Sequence, residues 1–252
     1  FKNSKLYSEK LKNVFFMLPI IAFGMEVMTL RQTSYQVIHE LKNKMISSLS
    51  WMGHLKEDIC RSNPEIIEND DVKEDFELAE SAVHEGAELA KDYLQFTKIY
   101  NPEFSSCNLN DILKETASSA KALAENFKLE GFTVELNLDK NIKENNLDAG
   151  KLKMAFYNLC KNAIEVLAEY KTEKPKLTFT SNLNEKELFV SIADNGPGMQ
   201  PEIADNLFIP FKTKKEGGTG LGLTITKKII DLHVGCIKCK TGEKGTTFEI
   251  VI

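Results

Sequence analysis

The sequence predicts an α+β chain: an antiparallel helical hairpin that pairs with a second copy into a four-helix bundle, followed by an α/β sandwich with a mixed sheet. Three observations lead there. Apolar residues recur in alternating steps of four and three through much of the first hundred residues. Beyond about residue 105 helical segments interleave with short alternating strands. A length of 252 residues is enough for two cores, and the expected division is 1–33, 34–100 and 105–252.

The first of these segments carries the most apolar run, 14-VFFMLPIIAFGM-25, about a dozen residues interrupted by Pro19. A bilayer span takes roughly 20. The run reads as a buried helix or a domain junction. The chain opens on Phe1 with no basic-then-apolar leader, so residues 1–33 are expected to be a linker or signalling helix, and any membrane contact is expected to come through an upstream region.

The hairpin follows. Ser34, Ile38, Leu41, Met45, Ser48, Met52, Leu55 and Ile59 form a heptad seam on a helix about 40 Å long. The polar stretch 61-RSNPEIIENDD-71 is expected to break it, after which Val72, Phe76, Ala79, Val83, Gly86, Ala90, Tyr93 and Thr97 resume the seam until 101-NPEF-104. Two helices cannot hide both flanks of such a seam, so a homodimer is expected.

In the second domain, helices are expected near 108–127 and 147–169, and strands at 132–138, 176–183, 187–194, 235–241 and 246–252. A net charge of -5 with no basic tract argues against nucleic acid as a partner. Five scattered cysteines do not make a disulfide framework and fit a reducing cytoplasm. His233, Cys236 and Cys239 look like metal ligands only in one dimension, because positions three apart on a strand point to opposite faces.

Three clusters in this domain can carry chemistry. In 158-NLCKNAIEVL-167, Asn158 and Asn162 share one helical face with Glu165 close by, an arrangement suited to hydrated magnesium and phosphate oxygens. In 194-DNGPGM-199, a carboxylate at a strand end precedes a turn that leaves room for a flat ligand; the same residues also serve as a plain turn. In 207-LFIPFKTKKEGGTGLGLTITKKII-230, glycines run into a helix, whose free amides can cradle phosphate. Neither the dinucleotide fingerprint nor the Walker A spacing is met. In the hairpin, His39 is either a reactive imidazole or a surface one beside Glu40.

Taken in order, NxxxN on a helix, DxGxG after a strand, a Phe-containing lid, GxGLGL before a helix and 245-GTTF-248 resemble the nucleotide-binding domain of sensor histidine kinases, shared with the gyrase, heat-shock chaperone and mismatch-repair ATPases. Upstream, 39-HELKN-43 is similar to the phosphoacceptor box of those kinases. The resemblance implies ATP and Mg2+ as cofactors, a homodimer, and a response regulator as partner. It makes His39 the phosphoacceptor, Glu40 its acid/base partner, and Asn43 a residue that can orient a water for phosphatase activity. Asn162 becomes the magnesium ligand, with Asn158 and Lys161 near the phosphates, Asp194 the acceptor for the adenine amino group, and Gly196 and Gly198 its lining. Phe208 and Phe211 anchor a lid bearing Lys212 and Lys214. The Gly218, Thr219, Gly220, Leu221, Gly222 run closes over the phosphates, and Thr246 lies at the far edge. Lys44 stands where many relatives carry proline, so a kink below His39 is not expected from sequence.

Overall fold

The computed structural model describes residues 35–98, 102–185, 187–199, 204, 206–213 and 218–252. The expected segment 1–33, together with Ser34 and Lys214, lies outside them. No helix among the described residues is long and apolar enough to cross a membrane. The chain divides into two units, the first ending at Thr97 and the second beginning at Lys98.

In the first unit, helix α1 covers 35–62, α2 Pro64–Glu68 and α3 Asp70–Lys98. The expected break at 61–71 is therefore mostly helical. Pro64 sits in the first turn of α2, where its missing N–H costs nothing. Asn69 ends that turn with extended backbone, and its Oδ1 accepts from the amide of Asp71 at 2.9 Å, which starts α3 at once. Asp70 and Asp71 suit the positive end of the new helix.

α1 and α3 pack antiparallel. Met45 fills the space a Cβ on Gly86 would take, and the Lys56 ammonium stands 5.9 Å from the Phe76 ring centre. The pairing corrects the seam. Ile38, Met45, Met52 and Ile59 are half-buried as expected, but Lys42, Leu49 and Lys56 accompany them while Leu41 (44% exposed), Ser48 and Leu55 (53%) face outward. On α3, Ala79 is exposed and Ala87, Ala90 and Leu94 are the buried positions. One helix can cover only a single stripe of its neighbour, so the second flank of the heptad stays outside.

The second unit is a five-stranded sheet with helices on one face. Its strands are β2 Thr133–Leu138, β4 Lys176–Asn184, β5 Glu187–Asp194, β6 Cys236–Gly242 and β7 Gly245–Val251, in the order β2-β4-β5-β7-β6. Only β2 and β4 run parallel, so the sheet is mixed. Helices α4 Leu109–Asn126, α5 Ala149–Glu169 and α6 Gly222–Leu232 pack against one another in chain order. Strict alternation places Leu177, Phe179, Val190, Ile192, Phe248 and Ile250 toward them, all 5% exposed or less. Each such side chain, wholly buried, contributes roughly 1.5–3 kcal/mol.

Two further strands were not expected from sequence. β1 Ser105–Asn108 and β3 Glu144–Leu147 form a separate antiparallel pair that places the caps of two helices. Asn108 caps α4 by accepting from Asn110, and Asp148 caps α5 by accepting from Lys151. Asp148 is 3% exposed; burial pushes its carboxyl up, but the amides of Glu103 and Lys151 and the Lys151 ammonium outweigh this and hold it below its ordinary range. His233 donates from one ring nitrogen to the carbonyl of Ile229 and accepts on the other from the amide of Asp148 at 3.0 Å. Both its nitrogens are thus engaged, and Cys236 and Cys239 occupy opposite faces of β6.

Helices α4, α5 and α6 all end with the same pair of backbone hydrogen bonds around a left-handed residue: Lys128 (φ 52), Lys171 (φ 48) and Val234 (φ 58). Val234 is the costly one, since a β-branched side chain resists that conformation and, at 95% exposure, gains nothing from packing.

Candidate functional site

In the second unit the candidate residues are spread along α5. Near one end, the amide nitrogen of Asn158 donates to the carbonyl of Gly222, the first residue of α6, at 3.2 Å. Near the other, Gly196 lies against Val166 and Leu167. From Asn158 to Val166 is eight residues, roughly 12 Å along the helix axis. Asn162 stands between them on the same face, half-buried, with no hydrogen-bond partner for its amide among the described residues. Lys161 and Glu165 flank it as a loose pair, 3.9 Å apart.

Asp194 stands at the Gly196 end. It is the last residue of β5, on the helix-facing side, and its Oδ1 accepts from the amides of Gly196 at 2.9 Å and Thr246 at 3.2 Å. Burial pushes its carboxyl above the ordinary range, against the pull of those amides. Cys239 stands near enough that burial and the charge of Asp194 push its thiol up to about 11. Asn195 fixes the same loop from behind, its side chain joining the amide of Lys176 at 2.7 Å and the carbonyl of Lys174 at 3.1 Å.

Two glycines admit close backbone approaches. Gly198 has φ +76, and the carbonyl of Gly242 occupies the place of its missing Cβ, so it admits the β6–β7 turn. Gly220 has φ +65, and a Cβ there would lie 2.7 Å from the Phe211 carbonyl carbon. It makes room for the lid's own backbone. The Phe211 amide donates to the carbonyl of Gly220 at 3.2 Å, and the Thr224 hydroxyl donates to the carbonyl of Phe208 at 3.2 Å. Phe208 is half-buried, Phe211 is 62% exposed, and Lys212 and Gly218 are exposed. Leu221 is 1% exposed, so it offers a ligand only its backbone, and Thr219 accepts from its amide at 3.4 Å. Thr246 is buried with its hydroxyl 3.3 Å from that of Thr241.

The fold places Asn158, Lys161, Asn162 and Gly222 toward one end of this stretch of α5 and Asp194, Gly196 and Thr246 toward the other. Thr224, Asn195 and Thr241 were not singled out from sequence; their contacts are to backbone or to residues far along the chain, which no local spacing signals.

In the first unit, His39 is exposed on α1. Tyr35 stacks on it one turn before, with ring centres 6.1 Å apart, and the Asn43 amide lies 3.3 Å from its Nδ1 one turn after. Glu40 makes no hydrogen bond to it, because adjacent helical side chains diverge by about 100°. Lys44 is accommodated in unbroken helix, and Ser48 donates to its carbonyl at 3.0 Å.

Comparison with known proteins identifies the family. Residues 147–252 match the family described as histidine kinase-, DNA gyrase B-, and HSP90-like ATPase. The sensory histidine kinase/phosphatase NtrB of Vibrio alginolyticus is 33% identical over 153 residues, 58% of this chain; the chain spans 43% of that protein's length. The solved catalytic domain of histidine kinase ThkA is 31% identical with a TM-score of 0.52, covering 60% of this chain and 95% of that one. ThkA solved with the response regulator protein TrrA has a TM-score of 0.60 at 23% identity, covering 88% of this chain and 63% of that one, a likeness of fold across both units. On the strength of the ThkA catalytic domain and the matching ATPase family, the chain belongs to the sensor histidine kinases.

Proposed function

We propose that the chain is an ATP-dependent protein-histidine kinase that phosphorylates its own His39 and donates the phosphoryl group to an aspartate of a response regulator. The observation that carries this reading is the half-buried carboxyl of Asp194, whose Oδ1 is held by the amides of Gly196 and Thr246, beside the stretch of α5 that bears Asn158 and Asn162.

In this reading Asp194 accepts from the adenine amino group, Thr246 borders the base, and Lys161, Lys212 and Lys214 reach the phosphates. Asn162 fits a metal ligand, being a half-buried amide oxygen with no partner among the described residues. A Mg2+ held by Asn162 would supply charge neutralisation at the phosphate oxygens. Asn43 can turn its amide so that the oxygen accepts from Nδ1–H, which leaves the Nε2 lone pair of His39 free. The Nε2–P bond forms as the bond from the γ-phosphorus to the ADP oxygen breaks, and the Nδ1 proton passes to a carboxylate, for which Glu40 is the nearest in sequence. In the same reading Asn43 orients a water for phosphatase activity, in keeping with the kinase/phosphatase activity for which NtrB is named.

The division into a linker over 1–33, a dimerisation and phosphotransfer unit over 34–100 and a catalytic unit over 105–252 belongs to the same proposal, as does a cytoplasmic location. Homodimerisation is supported by the exposed flank of α1. Val37 (63% exposed), Leu41 (44%), Trp51 (73%) and Leu55 (53%) lie together on it, away from His39 and Asn43.

Incubation with γ-labelled ATP and magnesium tests the reading. Acid-labile label is expected on the parent, on His54→Ala and on His84→Ala, and absent from His39→Ala. ATP binding without any transfer to protein would sink it in favour of a nucleotide-binding scaffold.

A further inference from the structure

We propose that Thr241 is a positioning residue for nucleotide selection, acting through the loop 194–199 and Asp194. The inference rests on the reading of Asp194 as the adenine acceptor and adds what keeps that carboxyl in place.

Thr241 is half-buried near the end of β6, on the strand face that also carries Ile237 and Cys239. Its register partner across the hairpin is Thr246 on β7. The Thr241 hydroxyl oxygen accepts from the amide of Met199 at 2.7 Å and lies 3.3 Å from the Thr246 hydroxyl. Thr246 in turn donates its amide to Asp194 Oδ1 at 3.2 Å. One hydroxyl therefore ties the far end of the nucleotide loop, at Met199, to the strand that fixes the near end, at Asp194.

The connection is short and directional. With the oxygen of Thr241 already accepting from Met199, its single hydrogen is free to point at Thr246. The Thr246 hydrogen is then released from the hairpin. Gly198 reinforces the docking, because its left-handed backbone places the loop directly on the carbonyl of Gly242, the residue after Thr241. Removing the Thr241 hydroxyl leaves the Met199 amide without its acceptor and lets the loop swing from the hairpin, carrying Gly196 and its hydrogen bond to Asp194 with it.

The prediction concerns the base rather than the phosphates. Thr241→Val should weaken ATP binding by about tenfold, the scale of one lost charge-assisted hydrogen bond, with Thr241→Ser restoring it. Binding of purine riboside triphosphate, which has hydrogen in place of the 6-amino group, should be unchanged, so that discrimination between the two nucleotides collapses.

The experiment titrates the 252-residue chain and its variants with both nucleotides and records a thermal melt of each without nucleotide. Thr241→Ala removes the same hydroxyl without added bulk and serves if the valine variant does not fold. Loss confined to ATP and rescued by serine supports the assignment. Equal loss of both nucleotides, or ATP affinity like the parent's, overturns it. Asp194→Asn run alongside separates the two levels: if that variant binds ATP as tightly as the parent, the adenine reading itself fails, whatever Thr241 does.

Discussion

The two units differ in how much of their core a single chain supplies. In the second, Phe156, Phe179, Leu152, Ile225 and Ile229 are fully enclosed by one sheet face and three helices. In the first, Ala87, Ala90 and Leu94 are the buried apolar positions among the described residues, while Trp51 and Leu55 on α1 and Leu78 on α3 stand more than half exposed. An enclosed core makes a unit self-sufficient; a hairpin of two helices, with one covered stripe each, relies on a second surface. The difference follows the proposed roles. A nucleotide site needs fixed walls, whereas a phosphoacceptor has to be reached by an ATP-bearing unit and then by a separate protein.

Core truncation breaks the comparison most severely. Phe179→Ala should cost the second unit about 3–5 kcal/mol, read as a lowered denaturant midpoint that does not vary with protein concentration. A concentration-dependent result would show that this unit also leans on a partner. The hairpin should behave in the opposite way. Trp51→Asp combined with Leu55→Asp is expected to weaken self-association by about 2–3 kcal/mol in sedimentation measurements and to leave the melting of the second unit in place. Unaltered association would remove this flank of α1 from the interface.

Smaller effects probe the functional cost built into the second unit. Because burial raises the carboxyl of Asp194, the folded chain holds that proton more tightly than the unfolded one. Its cost is therefore absent below the ordinary carboxylate range, accrues as pH rises from that range to the raised value, and is complete above it. Asp194→Asn should gain about 1 kcal/mol at pH 7 while losing ATP affinity, and the gain should fade in melts taken below about pH 4. A gain that persists unchanged in acid would mean that ionisation is not its source. Val234→Gly should add about 1 kcal/mol or slightly less at every pH, by relieving left-handed backbone at a position with no packing to lose. No change in melting would mean that the helix end relaxes without strain.

Much of this was legible from residue order. Long periodic segments fixed α1, α3, α4 and α5, and strand alternation placed β2, β4, β5, β6 and β7 within a residue or two. What escaped notice lacked a local signal. β1 and β3 are the four-residue stretches SSCN and ENNL, polar and without alternation, and they pair across nearly forty residues of chain. The stretch 61–71 looked like a breaker because of Pro64, yet proline in a first helical turn is compatible with helix. The heptad gave α1 its apolar rows but not their owners, since Leu41 and Leu49 are equally good knobs and only the pairing of Met45 with Gly86 decides which row α3 covers. In the candidate site, Asn162 and Asp194 stood out by type and spacing. Thr241 did not, because its significance is a backbone amide 42 positions earlier in the chain.

The central claim is that one unit holds the nucleotide and the other receives the phosphoryl group. Its most direct test measures ATP affinity and acid-labile label side by side in the parent and in His39→Ala. The account predicts unchanged affinity with no label in the variant. Label that survives the loss of His39, or a parent chain that binds Mg-ATP and never becomes labelled, would contradict it.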